Sequence, residues 1–208
     1  MNSFIIIFRN YLLCLVLISI SHLSFSQQTD QQQTEALQFL KDQKQLKIKF
    51  DYSDLKIREL PEADFLEEKM EEKEARSEGA GERYLNAWKE DKQVNFPKKF
   101  MILFNKYLKK NGLNVSENEA PYTLIVKTLK IDPGWYSGTI VSQPAVTDFE
   151  FYFVKSDAPE VVLCKFRIIN VQGAADYDAG VRMQECYAKA GKELAKYISK
   201  YAYSKITQ

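Results

Sequence analysis

From Leu113 to Val171 the chain alternates apolar and polar residues with a period of two, cut at intervals by turn residues. That pattern confines this half of the chain to strands with one face on a core. Between Tyr122 and Ile131, Leu124, Val126 and Thr128 face one way and Ile125, Lys127 and Leu129 the other, until Asp132-Pro133-Gly134 breaks the run. After Gly138 a strand through Thr139 to Val141 is interrupted at Pro144. It resumes as Thr147 to Val154, with Phe149, Phe151 and Phe153 on one face. Past Ser156-Asp157-Ala158-Pro159, the last strand, Val161 to Val171, sets Val162, Cys164, Phe166 and Ile168 opposite Leu163, Lys165, Arg167 and Ile169. Leu113 to Val115 adds a short strand, and short turns between such strands predict an antiparallel meander.

Helices flank this meander. The spacing predicts a long closing helix over Asp176 to Ser204, burying Val181, Gln184, Tyr187, Gly191, Leu194, Ile198 and Tyr201. Glycine inside a helix costs about 1 kcal/mol relative to alanine. Gly191 beside Ala188 and Ala195 therefore predicts close backbone packing. Upstream, one helix is expected over Glu82 to Lys92, with Tyr84, Leu85 and Trp88 on one side. Another follows Pro97, from Lys98 to Lys110, carrying Phe100, Met101, Phe104, Tyr107 and Leu108 at helical spacing and stopping at Asn111-Gly112. Residues 59 to 82 hold ten carboxylates against three basic residues, a solvated helix with pairs such as Glu72 and Arg76. Leu46, Ile48, Phe50 and Tyr52 alternate with charged neighbours as a first strand, after a short helix over Glu35 to Lys44. The expected fold is α+β: an antiparallel (mixed) sheet of about four to five strands packed against helices, with a long C-terminal helix. Residues 45–205 are expected to form a single domain, behind a polar leader and short helix over 27–44.

The first twenty-six residues read as a secretory signal peptide. Arg9 supplies the positive end, Tyr11 to Leu23 the apolar stretch, and Ser24-Phe25-Ser26 the small residues before a cut ahead of Gln27. A membrane anchor needs roughly 20 apolar residues, and Ser19, Ser21, His22 and Ser24 interrupt this run. Cys14 sits inside the apolar stretch, out of place for lipidation. Cleavage would remove Arg9, His22 and Cys14, leaving 28 basic and 28 acidic residues, two cysteines and no histidine. A neutral chain lacks the basic excess that nucleic acid requires. Without histidine there is no Ser-His or Cys-His nucleophile pair, no imidazole base and no histidine-bearing zinc site. No later apolar run approaches membrane-spanning length.

Four constellations carry candidate chemistry. Asp176-Tyr177-Asp178-Ala179-Gly180 resembles the start of a calcium loop, but Gly180 falls at the fifth position and Val181 at the sixth, where an EF-hand wants a ligand and a glycine. Gly134-Trp135-Tyr136-Ser137-Gly138 lacks a histidine to activate its serine and reads as an aromatic-tipped turn. Trp135 and Tyr136 there are a candidate contact site or a lid on the core. Cys164 and Cys186 are a candidate disulfide if their Cα atoms come within about 7 Å, or else two buried thiols. Asp148 and Glu150 share a strand face, either as paired carboxylates of a glycosidase or as solvent-facing residues. None of these motifs calls for a cofactor or a metal.

Tyr122-Thr123-Leu124-Ile125-Val126-Lys127-Thr128, Asp132-Pro133-Gly134-Trp135, Gly180-Val181-Arg182 and Tyr187-Ala188-Lys189-Ala190-Gly191-Lys192 together resemble a family of uncharacterised exported proteins from Bacteroidota, over roughly residues 120 to 200. The element order is similar to periplasmic domains grouped with the amino-terminal domain of TolB and with lipoprotein activators of penicillin-binding proteins. The resemblance implies no assigned chemistry. The expectation is an exported, non-catalytic domain, periplasmic or secreted, that touches an envelope protein. The alternatives are a carboxylate-dependent hydrolase of envelope sugars and a small-ligand carrier.

Overall fold

Alternating faces become pairing wherever the turns bring strands side by side. The computed structural model describes residues 32–138 and 141–203; the expected signal peptide over 1–26 and the first residues of the polar leader, 27–31, lie outside the described residues, as do Thr139, Ile140 and Ser204. After a short helical segment over residues 32–40, the elements in chain order are β1 (Gln45–Asp51), β2 (Lys56–Ile57), β3 (Leu60–Pro61), α1 (Glu62–Glu74), α2 (Ala80–Glu90), α3 (Phe96–Leu108), β4 (Asn114–Ser116), β5 (Tyr122–Asp132), β6 (Trp135–Tyr136), β7 (Ser142–Gln143), β8 (Val146–Lys155), β9 (Ala158–Gln172) and α4 (Ala179–Tyr201). The protein is α+β, with a mixed seven-stranded sheet and a long C-terminal helix.

The expected meander is present: β5 pairs antiparallel with β8, and β8 with β9, in a register that sets Val126 beside Phe151 and Phe151 beside Phe166. β1 is different. It lies between β4 and β5 and runs parallel to both, Lys47 beside Ser116 on one side and Thr123 on the other. The count rises from about five strands to seven because β2 and β3, two residues each, pair with each other and continue the sheet beside the end of β5. β6 and β7 form a separate small hairpin.

A single face of the sheet carries the core. Phe149, Phe151 and Phe153 of β8 are fully buried, as the alternation requires. Above them lie α3, through Phe96, Phe100, Phe104 and Leu108, and α4, through Tyr187, Leu194 and Ile198. Tyr187 stacks on Phe96 at 4.4 Å and stands edge-on to Phe149 at 4.9 Å. Its buried hydroxyl meets the Thr128 hydroxyl at 2.8 Å, so both polar tips are satisfied inside an apolar layer. Burial pushes the Tyr187 phenol well above its usual range. The side chain is a neutral hydrogen-bonding peg.

Three local departures from the sequence reading have physical causes. The two helices expected around Pro97 are one helical run from α2 into α3, joined by a π turn over Asp91–Asn95. A proline inside a regular helix would drive its ring against the carbonyl four residues back. The wider turn in front of Pro97 relieves that clash while keeping the helix continuous. Asp91 in this turn is buried and accepts from Asn95 Nδ2 at 2.8 Å and Gln184 Nε2 at 3.0 Å, tying the turn to α4; burial pushes its carboxyl up. In β9 the register shifts between Phe153 and Val154, which leaves Leu163 as the extra residue and turns Val162 to the outer face beside Val154. On α4 the first turn buries Arg182 rather than Val181.

Candidate functional site

Five turn residues and one buried arginine build an exposed aromatic tip at one end of the sheet. Asp132 Oδ1 accepts the Gly134 N–H at 2.9 Å, and Gly134 takes a left-handed φ of 63°. A side chain there would also meet the Gln143 carbonyl, its Cβ only 2.2 Å away, so the turn needs glycine twice over. β6 then pairs with β7, Trp135 against Gln143 and Tyr136 against Ser142, and Trp135 Nε1 donates to Gln143 Oε1 at 2.9 Å. Trp135 is 42% exposed, Val141 54% and Tyr177 83%. Tyr136 meets Tyr177 edge to face at 5.8 Å.

Arg182 holds these pieces together. Its Nε donates to the Pro133 carbonyl at 2.9 Å, and its Nη1 to the carbonyls of Asp176 at 2.6 Å and Tyr177 at 3.0 Å. One buried guanidinium thus joins the turn before β6 to the loop before α4. A cation in the first turn of a helix opposes the helix dipole. Placed there, it must take its compensation from carbonyl oxygens. Trp135 and Tyr136 were visible in the sequence as an aromatic-tipped turn. Tyr177 and Val141 join them only through the fold. Arg182 gave no such signal, since the apolar spacing put Val181 on the buried face; only its place as a basic residue at the unfavourable end of a helix pointed to it.

Asp176 and Asp178, the residues that resembled a calcium loop, are capping groups. Asp176 Oδ1 accepts the Asp178 N–H at 2.9 Å, and Asp178 Oδ1 accepts the Val181 N–H at 3.2 Å as the N-cap of α4. Among the described residues no three His, Cys, Asp or Glu side chains come together as a metal site, and no helix is long and apolar enough to cross a membrane.

Asp148 and Glu150 do share a face, but they do not face solvent alike. Glu150 is 3% exposed, covered by the three donors that serve it: the Tyr152 hydroxyl, Lys165 Nζ at 2.9 Å and Arg167 Nε at 2.6 Å. Burial works against its charge, yet those donors outweigh it and hold the carboxyl at about 2 against a usual 4.5. A group held so low is a poor general acid at neutral pH. Asp148 instead lines a small cleft of about 220 Å³ with Lys130, Asp132 and Asn170. Because the folded pKa is depressed, the Glu150 contribution is complete above about pH 4.5 and disappears as pH falls towards 2. Glu150→Gln is expected to cost about 2 kcal/mol at pH 7, less than the full shift implies because Lys165 and Arg167 are half-exposed. Urea unfolding at pH 7 and pH 3 checks this: the gap between variant and parent should narrow at pH 3, and a constant gap would show that the charge is idle.

The candidate disulfide is not formed: Cys164 and Cys186 are both free thiols. Cys164 stands opposite Phe153, whereas Cys186 Sγ lies 3.4 Å from the Ala145 carbonyl, eight residues earlier along the same strand line. At about 3.3 Å per residue the two are some 25 Å apart, far beyond bridging distance. Burial pushes the Cys186 thiol up to about 11, which keeps it protonated and unreactive. Larger open clefts include one of about 410 Å³ between α1 and α2 around Leu66, Leu85 and Trp88, one of about 520 Å³ between β9 and α4, and one of about 510 Å³ beside β1 around Phe50, Tyr52 and Pro97.

Fold and site together define a two-layer α+β protein, helices over one face of a mixed sheet, with an exposed aromatic hairpin at its end. No family model matches the chain, and no curated protein does. Solved structures similar to it include a neuraminyllactose-binding hemagglutinin homolog from Helicobacter pylori, at 12% identity and a TM-score of 0.39, covering 78% of this chain and 87% of that one. Another is protein XCC0632 from Xanthomonas campestris, assigned to DUF330, at 13% identity and a TM-score of 0.30, covering 45% of this chain and 54% of that one.

Proposed function

We propose that this protein is an exported, non-catalytic domain of the cell envelope, periplasmic or secreted, that works by contact with another protein through the hairpin tip. The observation that carries the reading is the aromatic group Trp135, Tyr136 and Tyr177, held outward by a buried arginine that serves only carbonyls in this site. Rigid aromatics combine large contact area with little entropy to lose, which is why such residues dominate protein interfaces. The leader-like residues 1–26 and the resemblance over residues 120–200 support export. The commitment of Glu150 to three donors weakens the hydrolase reading.

The test is pull-down from an envelope fraction with the processed protein, whose intact mass should correspond to a chain beginning at Gln27. A Trp135→Ala, Tyr136→Ala double variant is the control. Loss of a hot-spot aromatic pair should lower partner recovery by about tenfold or more, while circular dichroism remains that of the parent. Equal recovery by the double variant would defeat the contact site, and an unprocessed amino terminus would defeat export.

A further inference from the structure

The hairpin tip gathers rings and carboxylates that no described cation of this chain serves. Tyr177 stands between Asp176 and Asp178 in the loop before α4, exposed, with the Tyr136 ring edge-on at 5.8 Å. Elsewhere lysines lie over the rings of Tyr52, Phe65, Tyr107 and Tyr152, but among the described residues none lies over Trp135, Tyr136 or Tyr177. Asp176 and Asp178 accept only backbone N–H groups, from Asp178 at 2.9 Å and from Val181 at 3.2 Å, and neither takes part in an ion pair among the described residues.

The neighbouring cations are committed. Arg182 is buried and spends its guanidinium on three carbonyls, Arg58 Nε lies 3.7 Å from Asp132 Oδ1, and Lys189 Nζ donates to the Gly173 carbonyl at 3.0 Å. The uncompensated charge beside the rings is therefore negative, in a protein whose total is close to neutral. A ring face attracts a cation through its quadrupole, a guanidinium most often, and a carboxylate beside the ring adds a charge-assisted hydrogen bond. The same carboxylates repel an anionic segment or an anionic lipid surface.

We infer that the partner meets the tip with a basic segment, an arginine lying over the Tyr136–Tyr177 pair and neighbouring cations reaching the Asp176 and Asp178 carboxylates. This deepens the contact reading of the tip and rests on it. Tyrosine and arginine are among the residues in which binding energy concentrates, and such residues tend to face each other across an interface. The rival acidic surface is α1, where Asp64, Glu67, Glu68 and Glu71 are exposed. The one aromatic side chain of that helix, Phe65, is buried, so α1 offers a basic chain charge but no ring.

Fluorescence polarisation of the purified protein with a labelled peptide alternating arginine and serine is the direct measurement, against a control peptide carrying glutamate in place of arginine. Saturable binding of the basic peptide alone is expected, weakened by added salt. The Asp176→Asn, Asp178→Asn variant keeps both capping oxygens while removing both charges. It should bind about tenfold or more weakly with the parent's circular dichroism, and Tyr177→Ala should weaken binding by a similar factor. Absence of saturation, equal affinity for the two peptides, or full binding by either variant, as α1 would give, would each overturn the inference. In the envelope pull-down the asparagine pair separates the two readings. Partner recovery kept by that variant but lost by the Trp135→Ala, Tyr136→Ala variant would leave the contact site standing and remove the basic partner.

Discussion

Arg182→Met is expected to lower unfolding stability by about 3 kcal/mol. Hydrogen bonds to a charged donor are worth about 1.5–3 kcal/mol each, and the carbonyls of Pro133, Asp176 and Tyr177 would lose theirs at once. Two effects offset part of that sum. A buried guanidinium costs desolvation, which methionine recovers, and a cation at the amino end of α4 opposes the helix dipole by up to about 1 kcal/mol. Arg182→Lys keeps the charge but not the fork, so it should recover a minority of the loss. Urea titrations of the three proteins decide it, and a loss for Arg182→Met below about 1 kcal/mol would show that the loops find other donors. A second readout is local. In a Trp88→Phe background, Trp135 alone reports, and its acrylamide quenching should rise in the Arg182→Met protein while it is still folded.

Gly191→Ala is expected to destabilise by about 2 kcal/mol, although alanine is the better helix former. Propensity alone would stabilise α4 by about 1 kcal/mol. Against it stands a new Cβ 2.4 Å from the Phe100 carbonyl oxygen and 3.1 Å from its carbon, with backbone atoms as the obstacle. Backbone cannot swing aside like a flexible side chain, so α3 and α4 must separate, opening the layer around the Phe96–Tyr187 stack. Overpacking of this kind costs about 1–3 kcal/mol, and losing ring contacts adds to it. Gly191→Val should be worse, because branching widens the obstacle. Thermal unfolding of the three proteins is the check; a higher midpoint for alanine would mean the helices part without penalty.

The elements that alternation could show, it showed. Phe149, Phe151 and Phe153 point to the core because side chains on a strand change face every residue. The same period is blind to strand direction, so nothing in Leu46, Ile48 and Phe50 distinguishes a parallel neighbour from an antiparallel one, and β1 had to be seen to be placed. β2 and β3 are too short to carry a period at all. Val162 was assigned to the wrong face because one bulged residue reverses every position beyond it. Glu150 read as a surface carboxylate because its cover comes from Lys165 and Arg167 on the next strand, a contact no local pattern encodes. At the hairpin, the glycines and the aromatic pair were local and legible. Tyr177 arrives from a loop some forty residues later, tied there by the Arg182 bond to its carbonyl and by its ring contact with Tyr136.

The parallel placement of β1 also dictates an order of assembly. Its partners are residues 114–116 and 123–127, about seventy positions further along the chain. During synthesis the first strand therefore waits, unable to enter the sheet until more than half of the polypeptide exists. The β5–β8–β9 meander, by contrast, closes through local connections, a two-residue turn between β8 and β9 and the β6–β7 hairpin segment between β5 and β8, at a lower cost in loop entropy. The sheet is thus completed from its carboxyl-terminal side, and the strand made first is inserted into a template made after it.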